Sequence, residues 1–175
     1  LYVATKTDGT MWSWGDDGNY GALGHNLAAQ KVSSPVQIGT DTDWATCYAG
    51  EYMCAAIKTD GTLYTWGADQ KGEIALNIAE GSKRSVPVQV GSDSDWVHAS
   101  LGGVINMFVK SNGKVYWAGG AAWGVSGDGV KTGGGFYHDQ VSVPTQVGFG
   151  DPGLDNVPVR GINVANGFAV ALQRK

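Results

Sequence analysis

Few residues in this chain have the type and spacing that chemistry demands. Gly124-Val125-Ser126-Gly127-Asp128 approaches Gly-x-Ser-x-Gly, the turn that exposes a hydrolase serine, but Asp128 stands where the second glycine is needed. Gly133-Gly134-Gly135 lacks the lysine and hydroxyl residue that complete a phosphate-binding loop. Asp41 to Asp43 and Asp93 to Asp95 offer carboxylates without the glycine and distal glutamate of an EF-hand, so bend formation explains them better. His25, His98 and His138 have no acidic or thiol partner at ligand spacing. These patterns assign no catalytic residue, no cofactor and no metal ligand, although loops on one rim of a fold can still build a site without a linear motif.

Cys47 and Cys54 are too far apart for a Cys-x-x-Cys site. If Gly50 and Glu51 centre a hairpin, the two thiols face each other and can form a disulfide; two buried free thiols are the other reading. A formal net charge of −4 and only two adjacent basic pairs, Lys83-Arg84 and Arg174-Lys175, argue against a nucleic-acid surface. No apolar stretch is long enough to span a bilayer, and no signal peptide is visible. The first residue is Leu1 rather than Met, which reads as a processed chain or a stretch of something longer.

The elements that position these residues follow from an internal repeat. KTDGTMWSWG starts at Lys6, KTDGTLYTWG at Lys58 and KSNGKVYWAG at Lys110, two equal steps of 52 residues. SPVQIG, VPVQVG and VPTQVG place Pro35, Pro87 and Pro144 at steps of 52 and then 57, while Trp44 and Trp96 again differ by 52. The repeats run approximately over 1–52, 53–104 and 105–167, with a partial unit at 168–175, in one array spanning 1–175. With 28 glycines and 16% charged residues, the composition suits short strands and tight turns.

Asp8-Gly9, Asp60-Gly61 and Asn112-Gly113 each separate apolar runs, which predicts type I′ hairpins. The paired strands are Tyr2 to Thr5 with Met11 to Trp14, Cys54 to Ile57 with Leu63 to Trp66, and Asn106 to Val109 with Val115 to Ala118. A further strand is expected after each proline, and another from Trp44 or Trp96 onward. Four strands per period of about fifty residues match one propeller blade. The expected fold is all-β: propeller blades of four antiparallel strands, about three repeats, with incomplete blades at both ends.

The recurring KTDGT-x-x-x-WG segments, with Gly21-Ala22-Leu23-Gly24 and Gly72-Glu73-Ile74-Ala75 behind them, resemble the regulator of chromosome condensation repeat family. Met53, Ile105 and Phe168 stand where that family usually has a turn histidine, and Ala118 replaces the tryptophan of the third WG pair. The repeat style is similar to that of bacterial and bacteriophage members. The resemblance implies a propeller, usually of seven blades, and allows guanine nucleotide exchange on a small GTPase as one activity. Gly9, Trp14, Gly15, Pro35, Trp44, Gly61, Trp66, Gly67, Pro87, Trp96, Gly113 and Pro144 are expected to be structural positions of the repeat.

Function is expected where the period breaks. Ser126 to Pro144 spans 18 positions against 12 from Leu23 to Pro35 and 13 from Ile74 to Pro87; Gly148 to Leu172 spans 24 against 18 from Gly91 to Val109. Trp123, Phe136, Tyr137 and His138 in the first expansion are candidate interaction residues, because aromatic groups on a glycine-rich loop can anchor a partner. A blade cap is the plainer role for them. The function expected is a non-catalytic interaction or assembly module that binds a protein partner or neighbouring subunits. A virion structural or attachment component, or another extracellular protein, is the specific form expected; the alternatives are an exchange factor and a propeller-based carbohydrate-active or lytic enzyme. Unpaired sheet edges at the ends of the array call for more chain or a neighbouring subunit.

Overall fold

A computed structural model describes residues 1–27, 31–103, 105–121, 139–147, 161–164 and 170–173. Every element among them is a strand: β1 Tyr2–Thr5, β2 Met11–Asp16, β3 Lys31–Gln37, β4 Trp44–Ala49, β5 Met53–Lys58, β6 Leu63–Asp69, β7 Ser82–Gln89, β8 Trp96–Leu101, β9 Ile105–Lys110, β10 Val115–Ala121, β11 Asp139–Gln146, β12 Gly161–Val164 and β13 Val170–Gln173. They form sheets in the orders β1-β2-β3, β4-β5-β6-β7, β8-β9-β10-β11 and β12-β13, with all pairs antiparallel. The two complete sheets are four-stranded blades, so the array is part of a β-propeller. Each complete sheet opens at Trp44 or Trp96, one strand ahead of the Met53 or Ile105 strand.

Alternation of side chains gives the two complete sheets two buried faces each. Met11 and Ile38 of the first sheet meet Trp44, Cys54, Ala56 and Trp66 of the second in one seam. Ala55, Ile57, Leu63 and Val90 of the second meet Trp96, Ala99, Phe108 and Ala118 of the third in the next. Met107, Val109, Val115 and Trp117 pack on Ile162 in a third seam. Hydrophobic burial in these seams, at about 25 cal/mol per Å² of apolar surface, is the main force stacking the blades.

Two local expectations are corrected. The turns are not type I′: Gly9, Gly61 and Gly113 have φ of 79, 83 and 81°, but Asp8, Asp60 and Asn112 are not among the residues with positive φ. The Gly9, Gly61 and Gly113 N–H groups donate to the Lys6, Lys58 and Lys110 carbonyls at 2.9, 2.9 and 2.8 Å, and the same three lysine N–H groups donate to Thr10, Thr62 and Lys114. This is a type I turn closed by a left-handed glycine, a hairpin that needs positive φ at one residue only. The prolines do not precede strands either. Pro35, Pro87 and Pro144 lie inside β3, β7 and β11, opposite register shifts at Ser13/Gly15, Thr65/Gly67 and Trp117/Gly119. An outermost strand interrupted by a bulge tolerates the missing N–H.

Candidate functional site

The turn and the first strand of each complete blade build one recurring polar cluster. Asp60 Oδ1 accepts from the Thr62 N–H at 2.9 Å and the Thr62 hydroxyl at 2.6 Å, as Asp8 does from Thr10 at 3.0 and 2.6 Å. Donors on the carboxylate favour its charged form. The Lys6 contact first, then Thr10, holds Asp8 well below the usual carboxylate range, and the Thr62 bonds lower Asp60. The turn glycine is also where the chain passes under its neighbour: a Cβ at Gly9 would lie 1.8 Å from the Thr42 carbonyl oxygen, and one at Gly61 2.2 Å from that of Ser94.

Lys58 at the end of β5 reaches Asp41 Oδ2 at 2.7 Å and Asp43 Oδ1 at 3.1 Å. Its ammonium stands 5.0 Å from the Trp44 ring and 5.2 Å from the Tyr64 ring. Lys110 repeats the arrangement with Asp93 at 2.7 Å, Asp95 at 2.9 Å, Trp96 at 4.8 Å and Tyr116 at 5.3 Å. Burial works against both charges, but the paired aspartates outweigh it, and both lysine pKa values are raised. Asp41, Asp43, Asp93 and Asp95 are therefore more than bend formers: they clamp a lysine 15 residues after Asp43 and Asp95. That equal spacing was the sequence signal for the cluster.

A second repeated device joins the blades. The Asn26 and Asn77 N–H groups donate to the Ser85 and Ser142 carbonyls of the next sheet at 2.8 and 2.7 Å. Beside the first of these latches, Trp66 Nε1 donates to the Ala22 carbonyl at 2.8 Å; beside the second, Asn106 Nδ2 donates to the Glu73 carbonyl at 2.9 Å. Asp17 shapes the preceding turn by accepting from the Gly21 and Leu23 N–H groups, both at 3.1 Å. Asp69 does the same for Ile74 at 3.4 Å. Glu73 is fully buried, and burial raises its pKa against the N–H groups that its carboxylate accepts.

The residues weighed for chemistry are dispersed. His25 Nε2 lies 3.0 Å from the Ser13 hydroxyl, but that hydroxyl donates to the Leu23 carbonyl at 2.6 Å, as Thr65 does to the Ile74 carbonyl at 2.5 Å, which makes Ser13 a structural donor. His98 bridges the Tyr48 hydroxyl at 3.3 Å and the Ile162 carbonyl at 3.1 Å. Among the described residues, no cluster of three or more His, Cys, Asp or Glu could hold a metal ion, and no helix is long and apolar enough to cross a membrane. Cys47 and Cys54 are free thiols, because the register pairs Cys47 with Ala56 and Ala49 with Cys54, leaving the sulfurs diagonal rather than opposed. Desolvation raises the pKa of both.

Gly9, Gly61 and Gly113 close the hairpins, Trp14, Gly15, Trp66 and Gly67 lie in β2 and β6, Trp44 and Trp96 open β4 and β8, and Pro35, Pro87 and Pro144 lie in the outermost strands. Trp123, Phe136, Tyr137 and His138 lie outside the described residues, as do Ser126, Gly133 to Gly135 and Phe168. The flanking strands nevertheless fix the length of that connection: 18 positions from Ala121 to Asp139, against 13 from Asp69 to Ser82 and 15 from Asp16 to Lys31.

The chain is 26% identical over 135 residues to the human E3 ubiquitin-protein ligase HERC2, covering 75% of this chain and 3% of that protein. To the Arabidopsis thaliana ultraviolet-B receptor UVR8 it is 26% identical over 125 residues, covering 69% of this chain and 27% of the receptor. The chain thus spans a minor part of these relatives. Its fold is similar to that of human WBSCR16, with a TM-score of 0.74 at 17% identity over 97% of this chain and 41% of that one. It is also similar to Saccharomyces cerevisiae Prp20p, with a TM-score of 0.71 at 19% identity over 94% and 39%. The regulator of chromosome condensation (RCC1) repeat model matches residues 8–57 and 60–109, more than half of the chain, and the chain belongs to that repeat family.

Proposed function

We propose that this chain is a non-catalytic protein-interaction module whose contact surface is the long connection between β10 and β11, with Trp123, Phe136, Tyr137 and His138 as the contact residues. The observation that carries this reading is the contrast between scaffold and connection. Turns, lysine clamps and latches recur from blade to blade with nearly the same distances, whereas the chain between Ala121 and Asp139 is several residues longer than its two counterparts. A rigid blade array that holds one aromatic, glycine-rich loop suits partner recognition. Prp20p, similar in fold, has been described with binding properties to Gsp1p and histones, which supports a protein ligand. The virion role implied by the repeat style finds no support in the relatives described above, and neighbouring subunits are one form that the partner can take.

The test is capture of binding partners by the 175-residue chain, compared with a variant in which Trp123, Phe136, Tyr137 and His138 are all replaced by Ala. Loss of at least tenfold in captured partner, with the fold intact by circular dichroism, is expected; undiminished capture removes the loop from the surface. If the partner is a small GTPase, the chain accelerates its nucleotide release, and a flat release rate at micromolar protein excludes the exchange reading.

A further inference from the structure

We propose that the cleft between the first two sheets, walled by Leu27, Val32, Val36 and Val86 with His25 beside them, is a binding site for a tryptophan side chain of a partner protein. The site is separate from the loop contact proposed above and shares no residue with it.

The cleft has a volume of about 510 Å³, in the range of sites that take a small ligand or an anchoring side chain. Val32 and Val36 of β3 lie opposite Gly15 and Ser13 of β2, on the face that Met11 turns to the second sheet. Val86 of β7 supplies the facing wall. Leu27, Val36 and Val86 are 53, 41 and 39% exposed, three of the six large apolar side chains that stand exposed among the described residues. Ile78 and Val88, which hold the positions of Leu27 and Val36 one repeat later, are less exposed. Asn26 also lines the cleft, and its latch to the Ser85 carbonyl at 2.8 Å fixes the separation of the two walls. The opening is thus built into the seam between two neighbouring blades, with apolar walls preformed for an occupant.

His25 decides the chemistry of that occupant. The Ser13 hydroxyl spends its single proton on the Leu23 carbonyl at 2.6 Å, so in the 3.0 Å contact between Ser13 and His25 it is the Nε2–H that donates. The neutral ring then carries its lone pair on Nδ1, which no hydrogen-bond donor among the described residues reaches. One repeat later, Thr65 bonds the Ile74 carbonyl as Ser13 bonds that of Leu23, but Leu76 stands in the place of His25 and packs against the next seam. The first cleft therefore differs from its successor by an acceptor beside its apolar walls. An occupant needs a flat apolar body with a donor at its edge. Indole has both, and it brings no acceptor that demands a donor in return, as a phenol does. Tryptophan is also among the side chains that most often anchor protein interfaces.

The experiment titrates N-acetyl-tryptophanamide, the blocked form of a tryptophan within a chain, into the nitrogen-15-labelled 175-residue protein and follows amide resonances. Saturable shifts are expected at His25, Leu27, Val36 and Val86. Methylating the indole nitrogen of the probe and His25→Phe should each weaken binding about fivefold, the worth of one hydrogen bond, with little further loss when the two are combined. Val86 is exposed, so Val86→Glu keeps the fold, which near-ultraviolet circular dichroism verifies, and a charge on that wall should weaken binding at least tenfold. The variant with Trp123, Phe136, Tyr137 and His138 replaced by Ala should bind the probe unchanged, which keeps this site and the loop contact distinguishable. The proposal is overturned by the absence of saturable shifts at about 10 mM probe, by binding indifferent to Val86→Glu, or by equal binding of the methylated probe. Tighter binding of free tryptophan than of the blocked amide overturns the partner protein as its source.

Discussion

Lys58→Met tests whether the clamped lysine stabilises the blade. Methionine retains the unbranched stem and removes only the ammonium. The wild-type side chain makes one contact of 2.7 Å and one of 3.1 Å to carboxylates that are about half exposed. Solvent screening therefore places the hydrogen-bonded pair at the low end of charge-assisted bonds, about 1.5 kcal/mol. The two rings at 5.0 and 5.2 Å add about 1 kcal/mol of cation–π attraction. The sum, about 2.5 kcal/mol, corresponds to a fall in Tm of roughly 5–10 °C for a chain of this size. Lys6→Met is the internal control: at the same repeat position but exposed and without the clamp, it should cost less than about 0.5 kcal/mol. Urea unfolding followed by tryptophan fluorescence gives both values, and a double-mutant cycle with Asp41→Asn and Asp43→Asn isolates the coupling. Since the folded pKa of Lys58 is raised, this contribution persists through neutral pH and is lost as pH climbs through that raised value. Equal costs for the two lysine variants, or a coupling energy near zero, would mean that the clamp does not stabilise the blade.

Three further perturbations probe the seams and turns. Trp66→Phe removes the donor to the buried Ala22 carbonyl and should cost about 1–3 kcal/mol in urea unfolding, with the first latch exchanging hydrogen faster. Gly61→Ala meets both a φ of +83° and the Ser94 carbonyl at 2.2 Å, so a loss of roughly 3 kcal/mol or more is expected, whereas Gly81→Ala, with φ +77° and open space, should cost only about 1 kcal/mol. Glu73→Gln should stabilise the protein by about 1 kcal/mol at pH 7 to 8. With the folded pKa of Glu73 raised above 4.5, its neutral form is fully populated only below that value and stability falls as pH rises through the folded pKa. The gain from glutamine should therefore vanish on acidification, which thermal melts between pH 4 and pH 8 would show.

The hairpins, the strand order around each turn and the propeller class were legible because glycine turns and period-2 apolar patterning are local properties. Met11, Trp12, Ser13 and Trp14 alternate in the sequence as they do in the sheet, with Met11 and Ser13 fully buried and the two tryptophans partly so. Turn type was less legible, since one left-handed glycine and two consecutive left-handed residues call for similar sequences. The lysine clamps escaped because Asp43 and Lys58 meet only through strand pairing, and a repeated Asp-x-Asp looks like bend chemistry until its partner strand is known. The disulfide alternative depended on the register of one hairpin, which composition cannot fix. Ser13 beside His25 illustrates the reverse: a pair with catalytic residue types that the Leu23 carbonyl explains as structure.

The third repeat looked degenerate in sequence because Ala118 replaces a tryptophan, yet the seam it enters is repacked rather than weakened. Strand alternation means that moving an indole by one residue sends it to the opposite face. Trp117 accordingly points into the seam with Ile162, while Ala118, with Ala55 and Leu63, lines the seam facing the second blade. The bulk lost there is returned from the neighbouring strand, where Phe108 stands one repeat after Ala56 and is fully buried. The lost donor is returned as well. Asn106, cross-strand partner of Ala118, bonds the Glu73 carbonyl just as Trp66, cross-strand partner of Cys54, bonds the Ala22 carbonyl. A Cys–Trp pair and an Asn–Ala pair thus satisfy equivalent backbone oxygens with the large and small members exchanged between strands. What the repeat preserves is a filled seam and a bonded carbonyl, and a motif read one residue at a time registers that exchange as two unrelated departures.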